Sequence, residues 1–388
     1  MKKFLILKKL IRHFPFLSIT NFDYFFSIIN GTILPLSLLQ QAKGMAINYH
    51  NAPLPKYAGL HAPSWAILNN EKFHGVTWHE MVEEIDAGDI LKQALIEIDP
   101  NETGLSLSVK CYQNAVNTFN ELTYEISYQN THKVAQNLIN RTYFDYYKKP
   151  LHGGWINWND SGEQIDRLCR ALDLGHHHSN RLGLPKFNIG NSFFIIGQLK
   201  LLDKQSIDLP GTIIKIAPDF WQIATKTQVV QLEQVIPLTN KSFIDFCNLA
   251  QQYNIEEGSI LASESEKNLY EYKSFYEVYA IHELFWVHQK EHFNPALLPF
   301  QAISTKCNDK QLTCVATLDL AHMFAFPSDA YPNNPPNLLF ASLLVYLYRL
   351  GNKEHFGVGF SNPKLHQLPK TIAPLFSTVL PFFTANVR

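Results

Sequence analysis

The stretch INYHNAPLPKYAG, residues 47–59, decides both the fold and the chemistry that the sequence predicts. Side chains two apart on a β-strand share a face, so Asn48 and His50 point the same way at a strand end, where a proline-containing loop begins. In doubly wound α/β sheets, ligands bind outside the carboxyl ends of the strands. The sequence therefore places an amide and an imidazole together where a site is expected.

A second stretch, HGVTWHEMVEEIDAGDIL at residues 74–91, supplies carboxylates. Asp86 and Asp89 flank Ala87-Gly88, a turn from which a loop carboxylate can face a pocket. An Asn–His–Asp set suits transfer of an acyl or formyl group to an amine. The imidazole takes the proton that the amine loses, the amide donates to the oxyanion, and the carboxylate orients the imidazole and favours its charged form. This chemistry needs no serine or cysteine nucleophile, so the predicted transfer is direct.

The pattern around these motifs predicts the fold class. Short apolar strands alternate with helices up to residue 128, beginning with a buried strand in FDYFFSII at 22–29, which predicts an α/β domain with a doubly wound parallel or mixed sheet. An irregular connector follows at residues 129–158. After it, a helix is predicted to start after Ser161, with a Ser161–Gln164 capping box. Short alternating runs at 186–238 predict a small β-barrel-like unit. The predicted domains are 1–128, 129–240 and 241–388, the last an α+β region.

The composition of the chain argues against two classes of partner, nucleic acids and membranes. The 388 residues contain 33 Lys plus Arg and 34 Asp plus Glu, a net charge of −1, so we expect no nucleic-acid partner. The longest apolar run, Leu338 to Tyr348, is shorter than the roughly 18 residues of a membrane span, and no membrane partner is expected. The 5 cysteines show no C-x-x-C spacing, which is typical of reduced thiols and predicts a cytoplasmic location.

The quoted residues resemble the formyltransferases that use 10-formyltetrahydrofolate, among them the methionyl-tRNA formyltransferases. The shared pattern is Asn-x-His at a strand end, a proline-containing loop ending in Gly, and an Asp-x-Gly loop, and it covers residues 22–128. The resemblance implies Asn48 as oxyanion donor, His50 as general base and Asp86 as its carboxylate partner, with Asp89 as second choice. It also implies 10-formyltetrahydrofolate as co-substrate, no metal, and a pterin pocket lined by the backbone of the loop Val82, Glu83, Glu84, Ile85, Ala87 and Gly88.

Two further resemblances concern the rest of the chain. The β unit at 186–238 is similar to the C-terminal domain of methionyl-tRNA formyltransferases. The tail, with ASLLVYLYRLGNKEHFGVGF and LFSTVLPFF, resembles the later half of a peptide-synthetase condensation domain without its His-His-x-x-x-Asp-Gly motif. Together they resemble the opening of a non-ribosomal peptide synthetase. This implies an aminoacyl group on a carrier protein as acceptor, and a carrier protein or other synthetase modules as partners.

The sequence departs from the family at its start. The family has several strand–helix units before the FDYFFSI strand, whereas about 21 residues precede it here, so the resemblance implies an N-terminally truncated domain. That strand would then become an edge with unpaired backbone groups. Either KFLIL, residues 3–7, or another chain would have to pair with it. Formylation of methionyl-tRNA, formylation of a nucleotide-sugar amine, and a non-catalytic remnant or docking module remain the alternatives.

Other histidines are expected to be structural. His61, His74 and His79 lie near the motif, and we expect them to bond locally as loop or strand residues rather than act as bases. His176, His177 and His178 cannot all converge on one ion because they are consecutive. The sequence therefore predicts no metal site.

Overall fold

The computed structural model describes residues 4–7, 22–31, 33–175, 180–238, 244–263, 265, 268–270, 272, 274, 285–286, 294, 335–351, 356–361 and 380–383. The chain forms two units, residues 1–278 and 279–388. The histidine run at 176–178 lies outside the described residues.

The first unit opens with a five-stranded mixed sheet in the order β1-β2-β3-β5-β6. The first three strands run parallel, whereas β5 is antiparallel to both β3 and β6. The predicted α/β fold with a parallel or mixed sheet is confirmed in its mixed form, because a loop without a helix joins β5 to β6. The strands are β1 Phe4–Leu7, β2 Tyr24–Ser27, β3 Met45–His50, β5 Phe73–Glu80 and β6 Ile90–Glu97, and a separate short pair consists of β4 Ala58–Gly59 and β7 Tyr143–Phe144.

Helices cover both faces of this sheet. Phe25 and Ala46 pack on one face against α1, Leu36–Leu39, whereas Phe26 and Ile47 pack on the other against α3, Gly104–Ser127. Adjacent residues of a strand face opposite ways, so these two apolar strands need cover on both sides. The helix α2, Ala62–Leu68, follows the proline-containing loop after β3.

The edge next to FDYFFSI is occupied by the chain itself. β1 pairs in parallel with β2, from Phe4 opposite Tyr24 to Leu7 opposite Ser27. The prediction that KFLIL could add as a strand is therefore confirmed. This pairing satisfies backbone groups that would otherwise be left open on that side of β2.

A second sheet follows the connector and is entirely antiparallel, in the order β10-β11-β12-β9-β8. Its core contains Phe194, Trp221 and Val230, together with Ile165 of α4 and Phe246 of α5. The predicted capping box of α4 is confirmed, because Ser161 and Gln164 exchange side-chain-to-backbone hydrogen bonds. The elements are α4 Gly162–Leu172, β8 Lys186–Ile189, β9 Ser192–Gln205, β10 Ile213–Ala217, β11 Phe220–Ala224, β12 Gln228–Pro237 and α5 Phe246–Tyr253.

The barrel form of this unit is not confirmed. The sheet ends at β10 and β8, and no ladder joins these two strands in the described part of the chain. The predicted domain boundaries stay predictions as well. Phe246 and Leu249 of α5, which lie beyond the predicted boundary at 240, pack into the core of the second sheet.

The described elements of the second unit are one helix and two strands. The apolar run from Leu338 to Tyr348 lies within α6, Pro335–Gly351. HFGVGF and FSTVLPFF contain β13, Gly357–Phe360, and β14, Leu380–Phe383, which pair antiparallel. These elements confirm a helix and two strands, whereas the likeness to a condensation domain remains a prediction.

Candidate functional site

One strand of the first sheet carries both the predicted amide and the predicted imidazole, and the neighbouring strand adds a second imidazole. Asn48 and His50 lie on β3, and the antiparallel register with β5 places His79 directly opposite Asn48. Opposed residues on neighbouring strands point to the same face of the sheet. The Nδ2 atom of Asn48 accordingly lies 3.2 Å from Nε2 of His79.

Polar side chains of β5 and β6 hold the proline-containing loop that follows β3. Thr77 Oγ1 accepts a hydrogen bond from the Leu54 backbone N–H at 3.2 Å and donates to the Ala52 carbonyl at 2.6 Å. Gln93 Nε2 donates to the Leu54 carbonyl at 2.9 Å. These contacts fix the path of the chain from His50 towards Tyr57, whose carbonyl oxygen lies 2.8 Å from His50 Nε2.

A left-handed residue turns the second loop so that its carboxylate faces inward. Asp86 has a φ of 55°, a conformation that Asp adopts more readily than most residues, and only 9% of the residue is exposed. Its Oδ2 accepts a hydrogen bond from the Gly59 backbone N–H at 2.9 Å. Gly59 has a φ of 96°, and a Cβ there would lie 2.2 Å from the Phe144 carbonyl oxygen. The glycine that ends the first loop thus lets β7 approach while it holds Asp86.

The carboxylate of Asp86 lies between two imidazoles. Its Oδ2 is 3.6 Å from His50 Nδ1, and its Oδ1 is 3.4 Å from His79 Nε2. His50 is 6% exposed and His79 is 2% exposed. The structure therefore gathers Asn48, His50 and Asp86 into one cluster, as the sequence predicts, and adds His79 to it. The roles that the resemblance implies for these residues remain predictions.

Backbone carbonyls assign the protons on both rings. A carbonyl oxygen only accepts, so His50 Nε2 must carry the hydrogen that it donates to Tyr57. In the same way, His79 Nδ1 donates to the Glu80 carbonyl at 2.9 Å. In the neutral forms, the bare nitrogens are Nδ1 of His50 and Nε2 of His79, and both face Asp86. A proton taken up by either ring is stabilised by the carboxylate.

Burial and neighbouring groups set the charges of the cluster. Burial alone raises the pKa of the Asp86 carboxyl, but the His50 and His79 imidazoles and the Gly59 N–H outweigh it and lower that pKa to about 2. Burial lowers the pKa of His50, and Asp86 opposes this only in part. Near neutral pH these directions favour a neutral His50 beside an ionised Asp86, which is the form able to accept a proton.

The connector between the two sheets holds the Asp86 loop by its backbone. Gln136 Nε2 donates to the carbonyls of Asp86 at 2.9 Å and of Gly88 at 2.6 Å. Arg141 donates to the Ile85 carbonyl at 2.8 Å and pairs with the Glu84 carboxylate at 2.9 Å. The carbonyls on this stretch of the loop are therefore already used as acceptors.

The same loop is the stretch for which the resemblance implies folate contacts. Val82, Glu83, Glu84 and Ile85 are exposed and Ala87 is half-buried, whereas Gly88 is buried. A Cβ on Gly88 would lie 2.0 Å from the Glu80 carbonyl oxygen, so close backbone packing requires this glycine. Folate contacts by these residues remain predictions.

Asp89, the second choice for the carboxylate partner, contacts β5 through its backbone carbonyl. Its carbonyl accepts a hydrogen bond from the Glu80 N–H at 2.9 Å. The side chain that enters the cluster is that of Asp86, whose oxygens lie 3.6 Å from His50 Nδ1 and 3.4 Å from His79 Nε2. The first choice from the sequence is the one that the geometry supports.

Sequence reasoning missed His79, for which a local structural role was predicted. The pattern GVTWHE does place His79 on an alternating strand, but only its register against β3 brings it to Asn48. Two other nearby histidines have different surroundings. His74 donates from Nε2 to the Asn51 carbonyl at 2.7 Å, and His61 precedes α2 as its left-handed N-cap residue.

In the described part of the chain, no group of three or more His, Cys, Asp or Glu side chains is arranged to hold a metal ion. Within the same ranges, no helix combines the length and apolarity needed to cross a bilayer.

Two stretches of the chain match known protein families. Residues 19–123, which include the entire cluster, match the Formyl transferase family, and residues 152–247, which include the second sheet, match the Formyl transferase C-terminal domain. These two stretches are therefore similar to the N- and C-terminal domains of formyltransferases.

Among curated proteins, the chain is similar to the methionyl-tRNA formyltransferases of Agathobacter rectalis and Clostridioides difficile. Identity is 28% in both, over 239 and 241 residues, which is 62% of this chain and 74% and 75% of those relatives. Among solved structures, it is similar to WlaRD, a sugar 3N-formyl transferase, with 24% identity, a TM-score of 0.43 and coverage of 54% of this chain and 72% of that one. It is also similar to HypX from Aquifex aeolicus, with 15% identity, a TM-score of 0.48 and coverage of 63% and 43%.

Proposed function

We propose that this chain transfers a formyl group from 10-formyltetrahydrofolate to a primary amine. The observation that carries the proposal is the gathering of Asn48, His50 and Asp86 in one buried cluster, within the part of the chain that matches the Formyl transferase family. In this reaction the amine nitrogen attacks the formyl carbon and loses a proton, and the bond from that carbon to N10 of the folate breaks. The proton passes to the cluster and then to the departing N10, so tetrahydrofolate leaves.

Each residue has a role that its surroundings support. Burial lowers the pKa of His50 and so favours its neutral form, in which Nδ1 is bare beside Asp86, and a proton taken from the amine becomes part of an imidazolium–carboxylate pair. Asn48 is the half-buried member of the cluster, and its NH₂ group can donate to the oxyanion of the tetrahedral intermediate. One such donor is typically worth about 10²–10³ in rate. The exposed loop of Val82 to Ile85 beside Asp86 is where we expect the folate to bind.

The acceptor that follows from the peptide-synthetase resemblance is an aminoacyl group on a carrier protein, with that carrier or other synthetase modules as partners. Methionyl-tRNA is the second candidate. It is favoured by the methionyl-tRNA formyltransferases of Agathobacter rectalis and Clostridioides difficile, which match over about three quarters of their own length. A cluster of amide, imidazole and carboxylate acts on the amine and the formyl carbon alone, so it fits either acceptor.

The test uses the full chain with 10-formyltetrahydrofolate and three acceptors in parallel: an aminoacylated carrier protein, methionylated initiator tRNA and a nucleotide-sugar amine. Mass spectrometry detects the formylated product. We expect transfer to one acceptor, with a loss of at least about 10²-fold in His50→Ala. The matched control is His132→Ala, because His132 is an exposed histidine of the connector. Absence of His50-dependent transfer to any of the three would refute the proposal and favour a non-catalytic module.

A further inference from the structure

His79 lies beside Asn48, but the proposed reaction gives it no role. We infer that His79 is a positioning residue: its bare Nε2 holds the amide of Asn48 with its NH₂ group, rather than its oxygen, directed to donate. The inference rests on the proposed formyl transfer, in which Asn48 donates to the oxyanion.

The first step is the fixed orientation of the ring. The Glu80 carbonyl lies 2.9 Å from Nδ1 of His79 and accepts its hydrogen, which leaves Nε2 bare in the neutral ring. The imidazole is 2% exposed, so it sits within packed protein rather than in solvent. Its acceptor atom is therefore held at one place, 3.2 Å from Asn48 Nδ2.

The second step is the ambiguity of a side-chain amide. The oxygen and the NH₂ group are nearly the same size, and a half-turn of the amide exchanges them. With the oxygen towards Nε2, two lone pairs would face each other at about hydrogen-bond distance. With the NH₂ group towards Nε2, one N–H is bonded to His79. The other N–H makes no hydrogen bond to another described residue, and it is free to donate to a developing negative charge.

The third step concerns the competing partner of Nε2. Asp86 Oδ1 lies 3.4 Å away, and a protonated His79 would donate to it and leave the Asn48 NH₂ group without an acceptor. His50 also interacts electrostatically with this ring, whereas the carboxylate of the adjacent Glu80 pairs with Lys133 Nζ at 2.6 Å. The orientation of Asn48 therefore depends on the tautomer that the Glu80 carbonyl selects, with the hydrogen on Nδ1 and Nε2 bare.

The experiment is a double-mutant cycle in the full chain with the acceptor that supports turnover. His79→Phe removes the acceptor atom, and we expect kcat to fall by about 10-fold or more with little change in the folate KM. His79→Gln offers a side-chain oxygen and should restore most of the rate. In an Asn48→Ala background, His79→Phe should cause no further loss, because the group that it positions is gone. An equal fold-loss in both backgrounds would overturn the inference.

A readout without turnover separates this inference from the proposed function. In the wild-type chain near neutral pH, ¹⁵N NMR should show His79 protonated at Nδ1 and bare at Nε2, and the Asn48 side-chain NH₂ resonances should shift in His79→Gln. Protonation of both ring nitrogens would overturn the inference even in an active enzyme. A wild-type chain that shows this tautomer but formylates none of the acceptors would overturn the proposed function, while the hydrogen bond itself would stand.

Discussion

Replacement of Asp86 by Asn should change how the stability of the protein depends on pH. The pKa of the carboxyl falls from its ordinary value of 3.8 to about 2 in the folded chain, and this difference corresponds to about 2 kcal/mol of unfolding free energy. A lowered carboxyl pKa stabilises the fold fully above the unfolded value near 4. That contribution is lost as the pH falls through the folded value.

The difference in unfolding free energy between wild type and Asp86→Asn should therefore shrink by about 2 kcal/mol between pH 6 and pH 2, with about half of the change complete by pH 3. Urea unfolding, followed by tryptophan fluorescence at a series of pH values, measures it. Trp78, which packs in the core of the first sheet, reports on the relevant part of the fold.

The matched control is Asp89→Asn. Asp89 lies three residues away and serves the loop through its backbone carbonyl, so its replacement should leave the acid dependence of the wild type unchanged. A wild-type minus Asp86→Asn difference that stays constant from pH 6 to pH 2 would refute the view that the two imidazoles hold Asp86 ionised. So would an equal effect of Asp89→Asn.

Three further outcomes are expected. Gly59→Ala should destabilise the fold by about 1–3 kcal/mol and lower the melting temperature, because its Cβ would lie 2.2 Å from the Phe144 carbonyl oxygen at a positive φ; an unchanged melt would contradict this. Burial lowers the pKa of His74 to about 4, so stability should fall as the pH drops below 6.5, and His74→Gln should flatten urea midpoints between pH 7 and 4. Trp78→Ala should cost about 3–5 kcal/mol in urea unfolding, and a loss under 1 kcal/mol would disprove its core role.

Much of the first domain could be predicted from local patterns. Alternation in MAINYH and in GVTWHE marks strands, and the Asn-x-His spacing alone puts Asn48 and His50 on one face. Asp86 could be chosen over Asp89 only through the resemblance to a family, because composition and turn residues permit either one. The structure gives a physical reason for the choice, since a left-handed turn directs the side chain of Asp86 inward.

Pairings between distant segments could not be predicted in this way. The register of β3 against β5 brings His79 to Asn48. No hairpin turn links those two strands, so no local sequence signal indicates their register. Gln136 and Arg141 lie about 50 residues after the loop that they hold, in a polar stretch with no strong periodicity. Contacts of this kind depend on how the whole chain closes, so local propensity carries no signal for them.

The hydrogen bonds from the connector to the Asp86 loop limit where the chain can be divided. A fragment that ended at residue 128 would retain the strands and the amide–imidazole–carboxylate set, but it would lose Gln136 from the Asp86 turn. It would also lose Thr142, whose Oγ1 accepts from the Tyr57 N–H at 2.8 Å, and Phe144, which stacks on the Tyr57 ring. An excised piece that keeps all of these contacts therefore extends at least to Phe144, and a shorter one would hold the Asp86 and Tyr57 loops by fewer hydrogen bonds.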